Sequence, residues 1–230
     1  MQPAQAERIE QAWAELAGVP HLSPHQVVVR ARSMLSREGW IGVLSLGDTL
    51  TWAVPRQDLV PRIESALPDG LTRALTAHDI VASLQPAEVL GPASLFYPPG
   101  PLDRPAPVAS VSRASPAELD DFRRTLPDSD LEESGLRDVE ADAFAARDGD
   151  ARLLAVCGYR RWPANIAHLC VATGPSDRRR GAARRAARAA IADAIDHDLL
   201  PQWRARPEAS KALARSLGLE QWGFQMSVRL

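Results

Sequence analysis

The chain has 230 residues and a mass of 25.0 kDa, with 45% apolar residues, 24% charged residues and a formal net charge of −2. This composition is ordinary for a globular protein and excludes intrinsic disorder and collagen-like repeats. Charged residues interrupt every apolar run well short of the roughly 18 residues that span a bilayer, and the acidic first helical segment does not fit a signal peptide. We therefore expect a cytoplasmic protein with no membrane partner and with its two cysteines reduced.

The N-terminal half is predicted to alternate short helices and strands. The predicted elements are a helix over residues 3–17, strands near 26–30, 40–46 and 49–54, helices between Asp58 and residue 84, and a strand over 94–97. Gly47-Asp48 suits the tight turn of a hairpin between two of these strands. No set of chemistry-bearing residues converges in this half, so its role is unknown.

A proline-rich segment separates the two halves of the sequence. Residues 98–107 read PPGPLDRPAP, with five prolines and one glycine. Such a sequence cannot continue a helix or a central strand and is typical of a stiff linker. It predicts an N-terminal α/β domain over residues 1–97 and a second domain over residues 108–230.

The pattern of the C-terminal half predicts a mixed sheet with helices, an α+β arrangement. Ser115 and Glu118 form a capping box, with proline at the first helical position, for a helix that extends to about residue 125. The other predicted elements are strands at 108–112, 144–147, 152–162, 165–173, 200–204 and 224–230, and helices at 178–197 and 207–217.

The turn between the two longest strands determines which of their residues lie opposite each other. A turn at Pro163-Ala164 predicts that Cys157 lies opposite Cys170 and that Tyr159 lies opposite His168. We expect the cysteines to be packed as reduced thiols. The Tyr159–His168 pair is either structural or catalytic.

Residues 171–183 predict an anion site where a strand passes into a helix. Pro175 ends the strand, and arginines followed by Gly181, Ala182 and Ala183 open the helix. Helix N-termini carry unpaired amides and partial positive charge, and small residues let a phosphate approach the backbone. The alternatives for the arginine run are a solvated face and a nucleic-acid site. The near-neutral chain and the lack of interleaved aromatic residues disfavour nucleic acid.

This segment resembles the acetyl-CoA signature of the GNAT superfamily of N-acetyltransferases. The signature is arginine or glutamine, two residues, glycine, one residue, and glycine or alanine, and residues 178–183 satisfy it. Strand, proline, signature and long helix follow in the order of the family. The resemblance covers about residues 108–230 and implies an α/β GNAT-type acyltransferase domain preceded by a smaller α/β domain. That smaller domain is either a degenerate second copy, since residues 49–67 repeat a strand-proline-helix outline, or unrelated.

The resemblance also implies how acetyl-CoA would bind, with no metal. The end of the strand would pair with the pantetheine arm, the helix N-terminus would hold the pyrophosphate, and a serine on the next helix would lie near the arm. The cofactor-binding residues implied in this way are Val171, Ala172, Thr173, Arg178, Arg179, Arg180, Gly181, Ala182, Ala183 and Ser210.

The catalytic groups of this domain depart from the family pattern. Many members carry a tyrosine that protonates the leaving thiolate, and this chain has Ala214 at that place. For the proton acceptor we expect Glu133, because neighbouring acids would raise its pKa and Ser134-Gly135 lets the chain turn toward a cleft. His168 is the second candidate, since the ordinary pKa of histidine suits the task.

The resulting prediction is an N-acetyltransferase that transfers acetyl from acetyl-CoA to a primary amine of a small molecule or peptide. A segment over residues 117–150 holds twelve acidic residues and four arginines, a net charge of −8. It is either a solvated loop or, through Glu132, Glu133, Glu140 and Asp142, a site for a cationic acceptor. The alternative function is a non-catalytic module that binds CoA or acyl-CoA as a sensor or scaffold. No nucleic-acid partner is expected, and a homodimer remains open.

Overall fold

The computed structural model describes residues 1–66, 75–100, 110–139 and 142–230. Contacts within the chain divide it into two compact units. Unit 1 contains Met1–Phe96, Ala205–Glu208 and Gln221–Leu230, and unit 2 contains Tyr97–Arg204 and Ala209–Glu220. Most of the predicted linker, residues 98–107, lies outside the described residues, so the linker stays a prediction.

The described residues form seven α-helices, ten strands and three short 3-10 turns. The helices are Pro3–Ala17 (α1), Val60–Ala66 (α2), Ala77–Leu84 (α3), Pro116–Arg124 (α4), Asp128–Ser134 (α5), Ala182–Asp196 (α6) and Glu208–Ser216 (α7). The strands are Gln26–Val29 (β1), Ile41–Leu46 (β2), Thr49–Val54 (β3), Glu88–Tyr97 (β4), Val111–Arg113 (β5), Ala143–Arg147 (β6), Leu153–Trp162 (β7), Ile166–Thr173 (β8), Leu200–Ala205 (β9) and Glu220–Arg229 (β10). The 3-10 turns are Gln57–Leu59, Leu136–Asp138 and Pro175–Asp177. The predicted order of elements is confirmed apart from α5, which lies in the acidic segment, and the larger differences in bounds lie at the starts of β4, α6 and β10.

The strands of unit 1 lie in the order β1-β3-β2-β10-β4. β1 is parallel to β3, and β2 is antiparallel to both β3 and β10. Alternate side chains of β2, β3 and β10 share one face, where they form an apolar core with residues of α2 and α3. Trp52 and Met226 are buried in this core.

The last strand, β10, was predicted as part of the second domain, but its pairing places it in unit 1. Gly223 to Val228 pair with β2 from Leu46 to Ile41. The alternation of apolar residues identifies this segment as a strand, but it does not identify the partner. The partner lies about 180 residues away in the chain, and nothing local in the sequence selects it.

The strands of unit 2 lie in the order β9-β8-β7-β6-β5. Each neighbouring pair from β5 to β8 is antiparallel, whereas β8 and β9 are parallel. The predicted capping box of α4 is confirmed. The amide of Ser115 donates to Glu118 Oε2 at 2.8 Å, and the amide of Glu118 donates to Ser115 Oγ at 3.3 Å.

Helices cover both faces of the unit 2 sheet. Leu119 and Phe122 of α4 pack with Cys170 of β8 in an apolar core on one face. On the other face lies α6, where Asp193 Oδ2 accepts a hydrogen bond from the Tyr159 hydroxyl at 2.7 Å. The buried residues of α6 are alanines apart from one isoleucine, so the helix can lie close to the strands.

The predicted register of β7 and β8 was wrong by one residue. Cys157 lies opposite Val171, and Cys170 lies opposite Gly158, so the two cysteines point to opposite faces of the sheet. Tyr159 lies opposite Leu169 and His168 lies opposite Arg160, so these two side chains also point to opposite faces of the sheet. The physical reason is the length of the connection between the strands. It has three residues, 163–165, one more than predicted, so every pair is shifted by one position.

Candidate functional site

β8 and β9 part from each other after the third of the eight residues of β8. Their parallel ladder consists of Ile166↔Leu200, Ala167↔Pro201 and His168↔Gln202. β8 then continues for five residues, to Thr173, beyond the last rung. Backbone amide and carbonyl groups on that side of the strand end are therefore available to an extended ligand that carries amides. Val171, Ala172 and Thr173, which were predicted to bind the cofactor, belong to this strand end.

The residues after β8 form a compact loop that ends in an uncapped helix. Helix α6 was predicted to begin at residue 178, but it begins at Ala182 because a 3-10 turn and Gly181 precede it. Gly181 occupies the left-handed region with φ of +71° and offers no side chain to cap the helix. The first helical bond runs from the Arg185 amide to the Gly181 carbonyl at 3.2 Å. Amides of the first turn are therefore placed as donors for an anion.

The arginines of the signature lie around this helix start, and several contact other parts of unit 2. Arg178 forms an ion pair with Asp130 of α5. Arg180 Nη1 lies 3.6 Å from Asp177 Oδ1. Arg185 Nη1 donates to the Arg180 carbonyl at 3.3 Å. Arg179 is exposed and has a left-handed backbone.

Ser210, the predicted contact on the following helix, connects α7 to β9. Its Oγ accepts a hydrogen bond from Trp203 Nε1 at 3.0 Å. Ala214, one turn later, is fully buried, so no side chain of α7 offers a proton at that place.

His168 lies on the last rung of the ladder between β8 and β9. Its Nδ1 is 3.0 Å from Gln202 Oε1, and its ring stacks on Trp162 with centroids 4.3 Å apart. The side chain of Gln202 is buried, and its Nε2 donates to the Tyr97 hydroxyl at 2.9 Å. Burial lowers the pKa of His168 to about 4. This lowered pKa makes His168 a weak proton acceptor near neutral pH.

Glu133 lies on α5, on the face of the sheet that also carries His168. Its side chain is exposed. Gly135, directly after α5, lies so close to β8 that a Cβ there would approach Cys170 Sγ to 3.0 Å. The structure thus brings the helix of Glu133 to β8, whereas Tyr159 lies on the opposite face. Burial and Asp193 raise the pKa of Tyr159, so it is a poor proton donor near neutral pH.

The acidic segment is partly neutralised by arginines. Asp142 contacts Arg113 at 3.3 Å and Arg161 at 3.5 Å. Asp138 contacts Arg160 at 2.9 Å. Glu140 lies outside the described residues, and Glu132 is exposed on α5. The cationic acceptor therefore stays a prediction that rests mainly on Glu132 and Glu133.

The sequence did not predict the contacts of two polar groups in this region. Asp177 is buried in the loop and binds Arg152, and Gln202 is buried beside His168. A polar residue inside the apolar strand LPQW was the available signal for Gln202. Across the described ranges, no helix is long and apolar enough to cross a membrane, and no group of three or more acidic, histidine or cysteine side chains is arranged to hold a metal ion.

Comparison with known proteins agrees with this geometry. A family model of GNAT acetyltransferases matches residues 149–223. A GNAT-family acetyltransferase from Colwellia psychrerythraea has a similar structure, with a TM-score of 0.53, 13% identity and coverage of 99% of this chain and 97% of that chain. A GCN5-related N-acetyltransferase from Kribbella flavida has a TM-score of 0.44 and 18% identity, over 66% of this chain and 63% of that chain. This chain also spans only 65% of a GNAT-family structure from Novosphingobium aromaticivorans. None of the curated proteins matches. Residues 149–223 therefore match the GNAT acetyltransferase family model, and the chain has a fold similar to that of the Colwellia GNAT-family acetyltransferase.

Proposed function

We propose that this protein transfers an acetyl group from acetyl-CoA to a primary amine of a small molecule or peptide. The observation that carries the proposal is the continuous path from the parting of β8 and β9 to the uncapped start of α6. From His168 to Thr173 the strand rises about 17 Å, on the scale of an extended pantetheine arm. One end of this path meets the helix amides, and the other end meets the last rung of the ladder.

The residues on this path fit acetyl-CoA. The backbone of Val171 to Thr173 would pair with the amides of the pantetheine arm, and the amides from Arg179 to Ala183 would hold the pyrophosphate. Ser210 would lie beside the arm on α7. Acetyl-CoA supplies a thioester whose carbonyl carbon accepts the amine nitrogen and whose sulfur leaves as a thiolate.

The proton of the attacking amine needs an acceptor in unit 2. Glu133 remains our choice because it is an exposed carboxylate on the helix that adjoins β8. His168 is neutral at working pH, so its role would be to accept a hydrogen bond and orient the amine. The leaving thiolate would take its proton from Ser210 or from water. Departure without an acid is the alternative, because a thiol with a pKa of about 8.5 is acidic enough to leave as the thiolate.

A second candidate function is a non-catalytic module that binds CoA or acyl-CoA as a sensor or scaffold. Its support is the buried alanine at position 214 and the engagement of Tyr159 by Asp193 on the other face. Both functions share the binding path, so binding of CoA alone does not separate them.

Release of free thiol from acetyl-CoA, measured with a panel of primary amines, separates the two functions. Transfer predicts thiol release that requires an amine and yields one acetylated amine for each thiol. A protein that binds CoA but releases no thiol with any amine would favour the sensor. Failure to bind CoA would overturn both functions.

A further inference from the structure

An ion pair between an exposed arginine and a buried aspartate braces the loop between β8 and α6. Arg152, directly before β7, donates from Nη1 to Asp177 Oδ2 at 2.7 Å and from Nη2 to Asp177 Oδ1 at 2.9 Å. Only 3% of the Asp177 side chain is exposed, against 55% of the Arg152 side chain. A planar guanidinium that binds both oxygens fixes the orientation of a carboxylate as well as its position.

The carboxylate of Asp177 lies against the backbone where the chain leaves β8. The Asp177 amide donates to the Gly174 carbonyl at 2.9 Å, and the Gly174 amide donates to the Leu154 carbonyl at 2.9 Å. A Cβ on Gly174 would lie 3.0 Å from Asp177 Oδ2. The Asp177 carboxylate is therefore packed on the Gly174 backbone, and a shift of Asp177 would act on residue 174 through this packing and through their hydrogen bond.

The pair also controls charge near the proposed diphosphate site. Asp177 precedes the start of α6 by a few residues, and Arg180 lies 3.6 Å from its Oδ1. The hydrogen bonds from Arg152 hold the pKa of Asp177 below its ordinary value, so the carboxylate is ionised. Without Arg152, this ionised group would repel an anion at the helix start and would draw Arg180 toward itself.

We propose that Arg152 and Asp177 are positioning residues of the acyl-CoA site, an inference that rests on the proposed function. Arg152 holds the loop through Asp177 and compensates its charge, so the amides of α6 meet the diphosphate beside a neutralised carboxylate. Both residues act through the loop and have no contact with the reacting atoms. The affinity for CoA should therefore depend on the pair, while kcat at saturating acetyl-CoA should not.

The test compares Arg152→Met, Asp177→Asn and the double variant in the full chain, by calorimetric titration with CoA and by steady-state kinetics. We expect Arg152→Met to raise the Kd for CoA and the KM for acetyl-CoA at least tenfold, with kcat within twofold of wild type. The double variant should recover part of this loss, because it removes the uncompensated charge but does not restore the hydrogen bonds that hold the loop. Arg152→Lys, which keeps the charge without the fork, should fall between wild type and Arg152→Met.

Arg124→Met is the matched control, since Arg124 forms an exposed ion pair with Asp121 on α4 and carries the same charge. Thermal unfolding identifies any variant that is not folded at the assay temperature, in which case Arg152→Lys and Asp177→Asn carry the test. Wild-type affinity in Arg152→Met, or a loss no larger than in Arg124→Met, would overturn the inference. A double variant no better than Arg152→Met would overturn charge compensation. A wild-type protein that does not bind CoA would overturn the proposed function together with the inference.

Discussion

The imidazole Nδ1 of His168 lies 3.0 Å from the side-chain oxygen of Gln202, on the rung after which β8 and β9 part. An amide oxygen only accepts hydrogen bonds, so this bond requires the proton on Nδ1 and leaves the lone pair on Nε2. Gln202 is oriented in turn by the Tyr97 hydroxyl, to which its Nε2 donates. His168 is therefore held in one tautomer and, through burial, in the neutral state.

This burial predicts that His168 destabilises the protein as the pH falls from about 6.5 to 4. The folded pKa is about 4 and the unfolded pKa is 6.5, so the unfolded state binds more protons in this window. The free energy of unfolding therefore decreases on acidification, by up to about 3 kcal/mol. Urea denaturation of wild type and His168→Asn at pH 7.5, 6, 5 and 4 measures the effect. The wild type should lose more stability than the variant, and a difference that does not change with pH would contradict the prediction.

The cysteines should be unreactive in the folded protein. Burial raises the pKa of Cys170 to about 12 and raises that of Cys157 as well, so little thiolate is present at neutral pH. The register also places them on opposite faces of the sheet. Titration with a thiol reagent should label them only after denaturation, and mild oxidation should leave them reduced. A 157–170 disulfide in the native protein would show that the register is the one expected from a two-residue turn.

Local patterns predicted most elements of unit 2, but they gave neither the start of α6 nor the register of β7 and β8. The α4 capping box is contained in a few residues, so the sequence alone was sufficient for it. The register of β7 and β8 depends on Ala164 and Asn165, which both adopt left-handed conformations and extend the connection by one residue. Asparagine tolerates this conformation but alanine rarely adopts it, so the sequence indicated a turn here without fixing its length.

Contacts between residues that lie far apart in the sequence could not be predicted from local patterns either. Arg152 and Asp177 are 25 positions apart, and each looks like an ordinary charged loop residue until the strands bring them together. The same holds for His168 and Gln202, whose contact depends on the parallel pairing of β8 with β9. A local pattern identifies elements, whereas contacts between elements require the sheet topology.

The capping box of α4 should contribute measurably to stability. Ser115→Ala removes the side-chain acceptor of the Glu118 amide and should lower the free energy of unfolding by about 1 kcal/mol. Chemical denaturation of the full chain, followed by circular dichroism, measures the change in the free energy of unfolding. Ser216→Ala is the control, since its hydroxyl bonds only within α7 to the Leu213 carbonyl. Equal losses in both variants would mean that the cap contributes nothing specific.

Glu133 should accept the proton of the attacking amine. Glu133→Gln removes the base while keeping the shape of the side chain, and we expect kcat to fall by about 10²–10⁴-fold with CoA affinity unchanged. Glu132→Gln, its neighbour on α5, is the matched control and should keep the wild-type kcat at saturating amine, since Glu132 would act only on the binding of a cationic acceptor. The measurement is a pH–rate profile with a good amine acceptor, in which the acidic limb should disappear in Glu133→Gln. If Glu133→Gln and His168→Ala both keep the wild-type rate and limb, positioning of a neutral amine becomes the better account.

The start of α6 offers the sharpest test of the binding path. Gly181 has φ of +71°, a conformation that aspartate tolerates better than valine does, and its Cβ would meet no backbone atom within 4 Å. In Gly181→Asp the new carboxylate would accept hydrogen bonds from the helix amides and repel a diphosphate. We expect the protein to stay folded and the Kd for CoA to rise at least tenfold, since one charge-assisted hydrogen bond contributes about 1.5–3 kcal/mol. Gly39→Asp is the control, because Gly39 also has a left-handed backbone, with φ of +80°, and open space around it. Calorimetric titration with CoA measures both variants, and undiminished affinity in a folded Gly181→Asp protein would falsify the assignment of this helix start to the pyrophosphate.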